Sequence, residues 1–227
     1  MKTKPRIVDL TGLIEEGMWS YGPPLPPVRI RKLSQKGETN YSFTLNSLSG
    51  TYLETSAHRL PGAPALDDVS PEKLIRPAVI IQLETKQPRE HITLQELKNY
   101  GARIRKGDAL LISTGWDRMR NKKNFVNDSP HFTSEAMNWV LSKKPFLLGG
   151  DIPCYDDPRE SEGLVNRLFR HGLMILAPLV NLRKVRSGRA TLIALTPRVK
   201  DTCAFPCRAL IVEKENLLPQ KCTRNTK

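Results

Sequence analysis

The stretch LSGTYLETSAHRLPG, Leu48 to Gly62, holds the densest chemistry in the chain and sets how the rest is read. Ser42 to Leu53 has the residue pattern of a strand, and side chains two apart on an extended chain share a face. If the strand ran on unbroken, Tyr52, Glu54, Ser56 and His58 would all point the same way, bringing together a phenol, a carboxylate and an imidazole. Gly50 permits a tight backbone approach just ahead of them, and Pro61 and Gly62 end the segment. Periodicity alone also fits an edge strand with a polar outer face.

Working outward, further apolar or alternating runs bounded by turn residues predict strands at Arg6–Leu10, Val28–Leu33, Ala78–Leu83, Ala109–Ser113, Pro145–Leu148, Leu173–Leu176, Ala190–Leu195 and Arg208–Val212. Helix signals are fewer. Ser70 precedes Pro71, Thr93 with Glu96 fits a capping box, and Thr133 opens Ser134–Ser142, where Met137, Val140 and Leu141 share a face. A fourth helix is predicted over Glu162–Arg170, with Leu164, Val165, Leu168 and Phe169 on one side and Gly172 after its end. The pattern is a mixed α/β domain over residues 1–218, followed by a flexible basic tail at 219–227. Four prolines, Pro23, Pro24, Pro26 and Pro27, stiffen Tyr21–Pro27 into an extended loop that suits a pocket wall or an arm onto another subunit.

The 227 residues suffice for one core, and no stretch approaches the roughly 18 to 20 apolar residues of a membrane helix. The opening MKTKPRIVDLTG has no apolar block of the signal-peptide kind, so a cytoplasmic location is expected. Lys and Arg number 36 against 23 acids, a formal net charge of +13. Eleven of these bases, with three acids, fall from Arg183 onward, interspersed with Val, Leu, Ile and Pro rather than in a run. Aromatics are sparse and not interleaved with Arg, so the charge reads as a solvated face rather than a nucleic-acid surface. Cys154, Cys203, Cys207 and Cys222 form no zinc-knuckle or disulfide pattern and read as free thiols.

Several segments resemble, in order, the cyclase family that contains bacterial kynurenine formamidase. Its signature H-x-G-T-H-x-D-x-P-x-H aligns with Leu48-Ser49-Gly50-Thr51-Tyr52-Leu53-Glu54-Thr55-Ser56-Ala57-His58. RIVDLTG with MWSYGPP resembles the opening strand and pocket loop, GDALLISTGWDR the family's G-D-x-x-L-x-x-T-G-W, and GGDIPCYDDP its G-x-D-x-x-S-x-D, with Cys154 in place of Ser. GLMILAPLVNL and FPCRALIV resemble the closing elements. The resemblance implies a swivelling β/α/β domain with a mixed sheet and a few flanking helices, assembled as a homodimer or higher oligomer.

It also implies zinc or manganese held by the signature's first two histidines and aspartate, with a later histidine and glutamate. Those positions are Leu48, Tyr52, Glu54, Val165 or Asn166, and Ala177. One carboxylate cannot replace the three or four ligands of a catalytic zinc site, so no metal and no other cofactor is expected. His171 ends a helix, where it complements the dipole. His91 and His131 lie beside helix starts and read as structural. Cys154 sits next to Asp156 and Asp157, which blunt a thiol.

His58 matches the signature's last histidine, to which the resemblance assigns proton transfer. Imidazole suits general acid or base work near neutrality. Glu54 is placed to orient His58 or raise its pKa, and Tyr52 to polarise a carbonyl. Trp19 and Tyr21 resemble the family's aromatic substrate wall, with core packing as the other reading. The expected function is metal-independent acid–base chemistry on a small carbonyl compound: hydrolysis of an amide, ester or lactone, or cyclisation or dehydration. Two alternatives stay open. One is a catalytically inactive homologue that binds a small molecule or protein; the other is a metal-dependent arylformamidase.

Overall fold

The computed structural model describes residues 5–213; the tail expected at 219–227 lies outside the described residues. Strands alternate with helices along the chain: β1 (Arg6–Asp9), β2 (Arg29–Gln35), β3 (Glu38–Thr44), β4 (Tyr52–Glu54), β5 (Ile75–Gln82), β6 (His91–Ile92), α1 (Leu94–Leu97), β7 (Ala109–Ser113), β8 (His131–Phe132), α2 (Ser134–Ser142), β9 (Leu147–Gly150), α3 (Leu164–Arg170), β10 (Met174–Ala177), β11 (Arg189–Leu195), β12 (Ala204–Pro206) and β13 (Arg208–Glu213).

Nine strands form one mixed sheet in the order β1-β13-β11-β5-β7-β9-β10-β4-β12. Its centre, β5, β7, β9 and β10, is parallel, and these are the nearly unbroken apolar runs VII, ALLIS, LLGG and MILA. Parallel strands are buried on both faces and need no polar alternation. The outer strands are antiparallel, with β4 between β10 and β12. Crossover helices lie on one face, where Met137, Val140, Leu168 and Phe169 pack with Ile81, Leu110, Ile112 and Ile175. The alternate residues, Ile80, Leu111, Leu147 and Leu176, face the other way and are covered by Leu66, Leu74, Leu179 and Leu182.

The Thr133 signal holds: its side chain accepts the Ala136 N–H at 3.2 Å, and α2 spans the expected residues. The Thr93–Glu96 capping box forms but supports a single α turn. The Ser70–Pro71 signal opens a 3-10 turn, Pro71–Leu74, rather than a longer helix. α3 starts at Leu164, two residues later than expected, because Gly163 takes a left-handed φ of 73°.

The expected strand Ser42–Leu53 is two strands separated by a turn. β3 pairs only with β2, and this hairpin is exposed on both faces. Asn46 then closes a turn, its side chain accepting the Leu48 N–H at 2.9 Å and its carbonyl the Ser49 N–H at 3.1 Å. Gly50 follows at φ 73°, where a Cβ would come within 2.7 Å of Ile14. The Thr51 hydroxyl donates to the Pro178 carbonyl at 2.6 Å and accepts the Gly12 N–H at 3.0 Å, pinning the start of β4 to the end of β10 and to the N-terminal loop.

Candidate active site

β4 contributes Tyr52 and Glu54, both buried, to the helix-covered face of the sheet. Register places Tyr52 opposite Ala177 on β10 and Pro206 on β12, and Glu54 opposite Ile175 and Ala204. Directly paired residues share a face, so the small Ala177 leaves room for the Tyr52 ring.

The strand does not continue to His58. After Thr55 the chain turns into a 3-10 helix, Ser56–His58, and the Thr55 N–H and hydroxyl both donate to the Cys203 carbonyl, at 2.8 and 3.2 Å. The tighter winding brings His58 back over Glu54: Nδ1 lies 3.4 Å from Oε1, with the carboxyl 6% exposed and the imidazole 29%. Glu54 and His58 thus meet through an i, i+4 turn rather than through strand alternation, and Ser56 sits within the turn.

Tyr52, Glu54 and His58, with Tyr21, Leu25, Leu48, Cys154, Asp156 and Val165, line a cavity of about 480 Å³, and Ser56 is not part of its wall. It lies beyond the carboxyl end of β9, where open α/β sheets commonly hold ligands. Tyr21 comes from the proline-rich loop. Its hydroxyl donates to the Pro153 carbonyl at 2.8 Å and lies 2.8 Å from the Tyr52 hydroxyl. A phenol has one proton to give, so Tyr52 is the donor in the second contact, and a relay runs from Tyr52 through Tyr21 to Pro153. Burial drives both phenols well above their ordinary range. Trp19 does not line this cavity. It packs edge-on against Tyr21 at 5.2 Å and against Phe125, supporting Tyr21 from behind.

Burial pushes the Glu54 carboxyl up to about 7, opposed by the charge of Arg59. Burial, then Arg59, lowers the His58 imidazole on balance, against the rise expected from Glu54. Both shifts favour the neutral forms, and the 3.4 Å approach works against both by favouring the charged pair. Apart from His58, no side chain or backbone group partners the Glu54 carboxyl among the described residues. Burial and then Asp156 and Asp157 push Cys154 to about 12, which leaves it a thiol.

The remaining candidates lie apart from this group. Exposed His171 caps α3, its Nδ1 2.9 Å from the Arg167 carbonyl. His131 is buried edge-on against His91, and it gains an acidic neighbour that sequence spacing had not suggested: Nε2 lies 3.6 Å from Asp157. Asp157 is itself gripped by both terminal nitrogens of Arg89, at 3.3 and 2.9 Å.

The positions to which the resemblance assigns metal ligands do not fit a metal. Leu48 and Val165 present hydrocarbon to the cavity, Tyr52 is a protonated phenol committed to Tyr21, and Ala177 is buried in β10. Among the described residues no group of three or more His, Cys, Asp or Glu side chains converges as a metal site would require.

A curled mixed sheet with crossover helices and a cavity at the carboxyl end of its parallel strands places the protein in the swivelling β/α/β class. The family model described as "Putative cyclase" matches residues 8–157, and the chain belongs to that family. Among solved structures, an isatin hydrolase bound to the product analogue thioisatinate superposes with a TM-score of 0.81 at 25% identity, covering 93% of each chain. Isatin hydrolase A from Labrenzia aggregata, bound to benzyl benzoate, gives 0.80 at 20% identity, covering 93% of this chain and 94% of its own. A potential metal-dependent hydrolase with cyclase activity gives 0.77 at 21%, covering 93% and 100%. No curated protein sequence matches the chain. No helix among the described residues is long and apolar enough to cross a membrane.

Two participants escaped sequence reading. Arg59 follows His58 at the cavity wall, and Cys203 places its Sγ 3.6 Å from His58 Nδ1. The adjacency of Arg59 was there to be seen. Cys203 lies 145 residues away in sequence and left no local signal.

Proposed function

We propose that this protein hydrolyses small aryl or cyclic amides and related esters or lactones by acid–base chemistry in which no metal takes part. The observation that carries the reading is the Glu54–His58 contact of 3.4 Å at the wall of a cavity of about 480 Å³. A buried carboxyl with no other partner, against an imidazole that opens onto a cavity, is an arrangement suited to moving a proton. Similarity to an isatin hydrolase points to a cyclic amide, opened at its C–N bond, as the substrate class. The apolar walls formed by Leu25, Leu48, Val165 and Ile175 suit an aromatic ring.

In this mechanism Glu54 orients the ring, and His58 removes a proton from water. The oxygen adds to the amide carbon, and the C–N bond breaks as His58 returns the proton to the leaving nitrogen. Tyr52 turns its hydroxyl from Tyr21 to the carbonyl oxygen as negative charge builds there. Arg59, exposed and without an ion-pair partner among the described residues, attracts the carboxylate product.

The commitment of the Tyr52 proton to Tyr21 favours a second reading, a pocket that binds without turnover. Ring-opening assays with isatin, N-formyl arylamines and aryl lactones separate the two. Turnover on at least one substrate is expected, falling about 100-fold or more in His58→Ala. Full turnover in His58→Ala would remove the catalytic assignment, and inactivity on all three classes would favour the binding reading.

A further inference from the structure

We propose that Cys203 is a positioning residue of this site, its thiol favouring the imidazole tautomer that carries the proton on Nε2. The inference rests on the catalytic reading of His58 and extends it. Cys203 Sγ at 3.6 Å and Glu54 Oε1 at 3.4 Å approach the same ring nitrogen, Nδ1. One ring nitrogen holds one in-line hydrogen bond, so the two groups compete, and they ask opposite things of it. An ionised carboxylate only accepts, which places the ring proton on Nδ1 and leaves Nε2 bare as a base. A thiol S–H donates, which leaves Nδ1 bare and places the proton on Nε2, where it can donate a hydrogen bond.

The backbone fixes the approach of the thiol. The Cys203 carbonyl takes both the N–H and the hydroxyl of Thr55, the residue that opens the turn carrying His58. Cys203 also immediately precedes β12, the strand paired with β4. Burial, and then the charge of Glu54, raises the thiol pKa, so the S–H form is the one present at neutral pH. The other charged side chain acting on the imidazole is Arg59, which faces it from the same turn and offers no acceptor. Hydrolysis needs a base to take the proton from water and then an acid for the leaving nitrogen. Glu54 favours the tautomer that can act as the base and the imidazolium that follows, whereas Cys203 favours the tautomer that donates a hydrogen bond from Nε2, so their balance sets the fraction of the ring ready to accept a proton.

The test is the tautomer of His58 in the full chain labelled with 15N-histidine, read from long-range proton–nitrogen correlations at about pH 8, above the imidazole and above the Glu54 carboxyl at about 7, so that Glu54 is ionised. His58→Gln identifies the signal among the four histidines. In Cys203→Ala the ratio of Nδ1–H to Nε2–H is expected to rise at least about fivefold, the effect of losing one ordinary hydrogen bond. Cys203→Ser, which keeps a donor, is expected to restore the wild-type ratio. Cys203→Val, closer to cysteine in volume, replaces the alanine variant if that fails to fold. An unchanged ratio in the donor-less variant overturns the proposal. A shifted ratio together with an active His58→Ala protein upholds the pairing and removes the catalytic reading. An unshifted ratio with His58→Ala inactive does the reverse.

Discussion

The carboxyls of Glu54 and Asp151 are both buried, and their surroundings differ. Asp151, just past β9, accepts from the Thr114 N–H and hydroxyl, from the Gly115 N–H and from the Ser113 hydroxyl, at 2.7 to 3.3 Å. Glu54, on β4 one strand in from the β12 edge and at the cavity wall, has His58 alone at 3.4 Å. Burial lifts both, Glu54 to about 7 and Asp151 to about 6. For Asp151 the donors of Thr114 and Gly115 pull back against burial, while for Glu54 only the charge of Arg59 does. A carboxyl ringed by donors fixes loops in place. One left nearly unpartnered beside an imidazole costs stability and is free to exchange its proton.

The contrast can be broken most forcefully at Asp151. Asp151→Ala strands several buried donors and is expected to cost about 3 to 5 kcal/mol of unfolding free energy, read from urea titration. A loss below about 1 kcal/mol would mean that the loops do not depend on it.

Glu54→Gln should act in the opposite direction, through pH. The folded carboxyl holds its proton up to about 7, whereas the unfolded one releases it near 4.5. As pH rises between those values the unfolded state has released a proton that the folded state still binds, so wild-type stability falls. The variant carries no such cost. The two proteins should match near pH 4.5, and the variant should be the more stable at pH 8, by up to about 3 kcal/mol. Equal stabilities at both pH values would show Glu54 to be as well partnered as Asp151.

The smallest effect is expected from Tyr21→Phe. It removes the donor to Pro153 and the acceptor for Tyr52, for a loss of about 1 to 2 kcal/mol, again from urea titration. A larger loss would make the phenol relay a structural keystone rather than a replaceable link.

What could be read in the sequence follows from the range of each interaction. β7 and α2 emerge with their observed bounds because an unbroken apolar run and a Thr133 cap are local signals. The grouping of Tyr52, Glu54 and His58 is also legible, though for the wrong geometric reason: alternation suggested a strand, and a 3-10 turn does the work. The turn at residues 45–51 stayed hidden because Ser42–Leu53 reads as continuous strand on both sides of it. β12 is three residues long and gains its place only by pairing with β4. The Tyr21–Tyr52 relay and the Cys203–His58 contact join residues 31 and 145 apart, beyond any local pattern. Trp19 carries the right residue type for a substrate wall, yet it backs the wall instead of facing the cavity.

The central claim is that a carboxyl, an imidazole and a phenol carry out the hydrolysis without a metal. Its most direct test is isatin ring opening by the full chain before and after exhaustive chelation, with residual zinc and manganese quantified in the same samples. Turnover unchanged within about twofold at less than about one metal per hundred chains is the expected result, given that the ligand positions offer too few donors to hold one. Activity that disappears with the chelator and returns on adding zinc or manganese would contradict it.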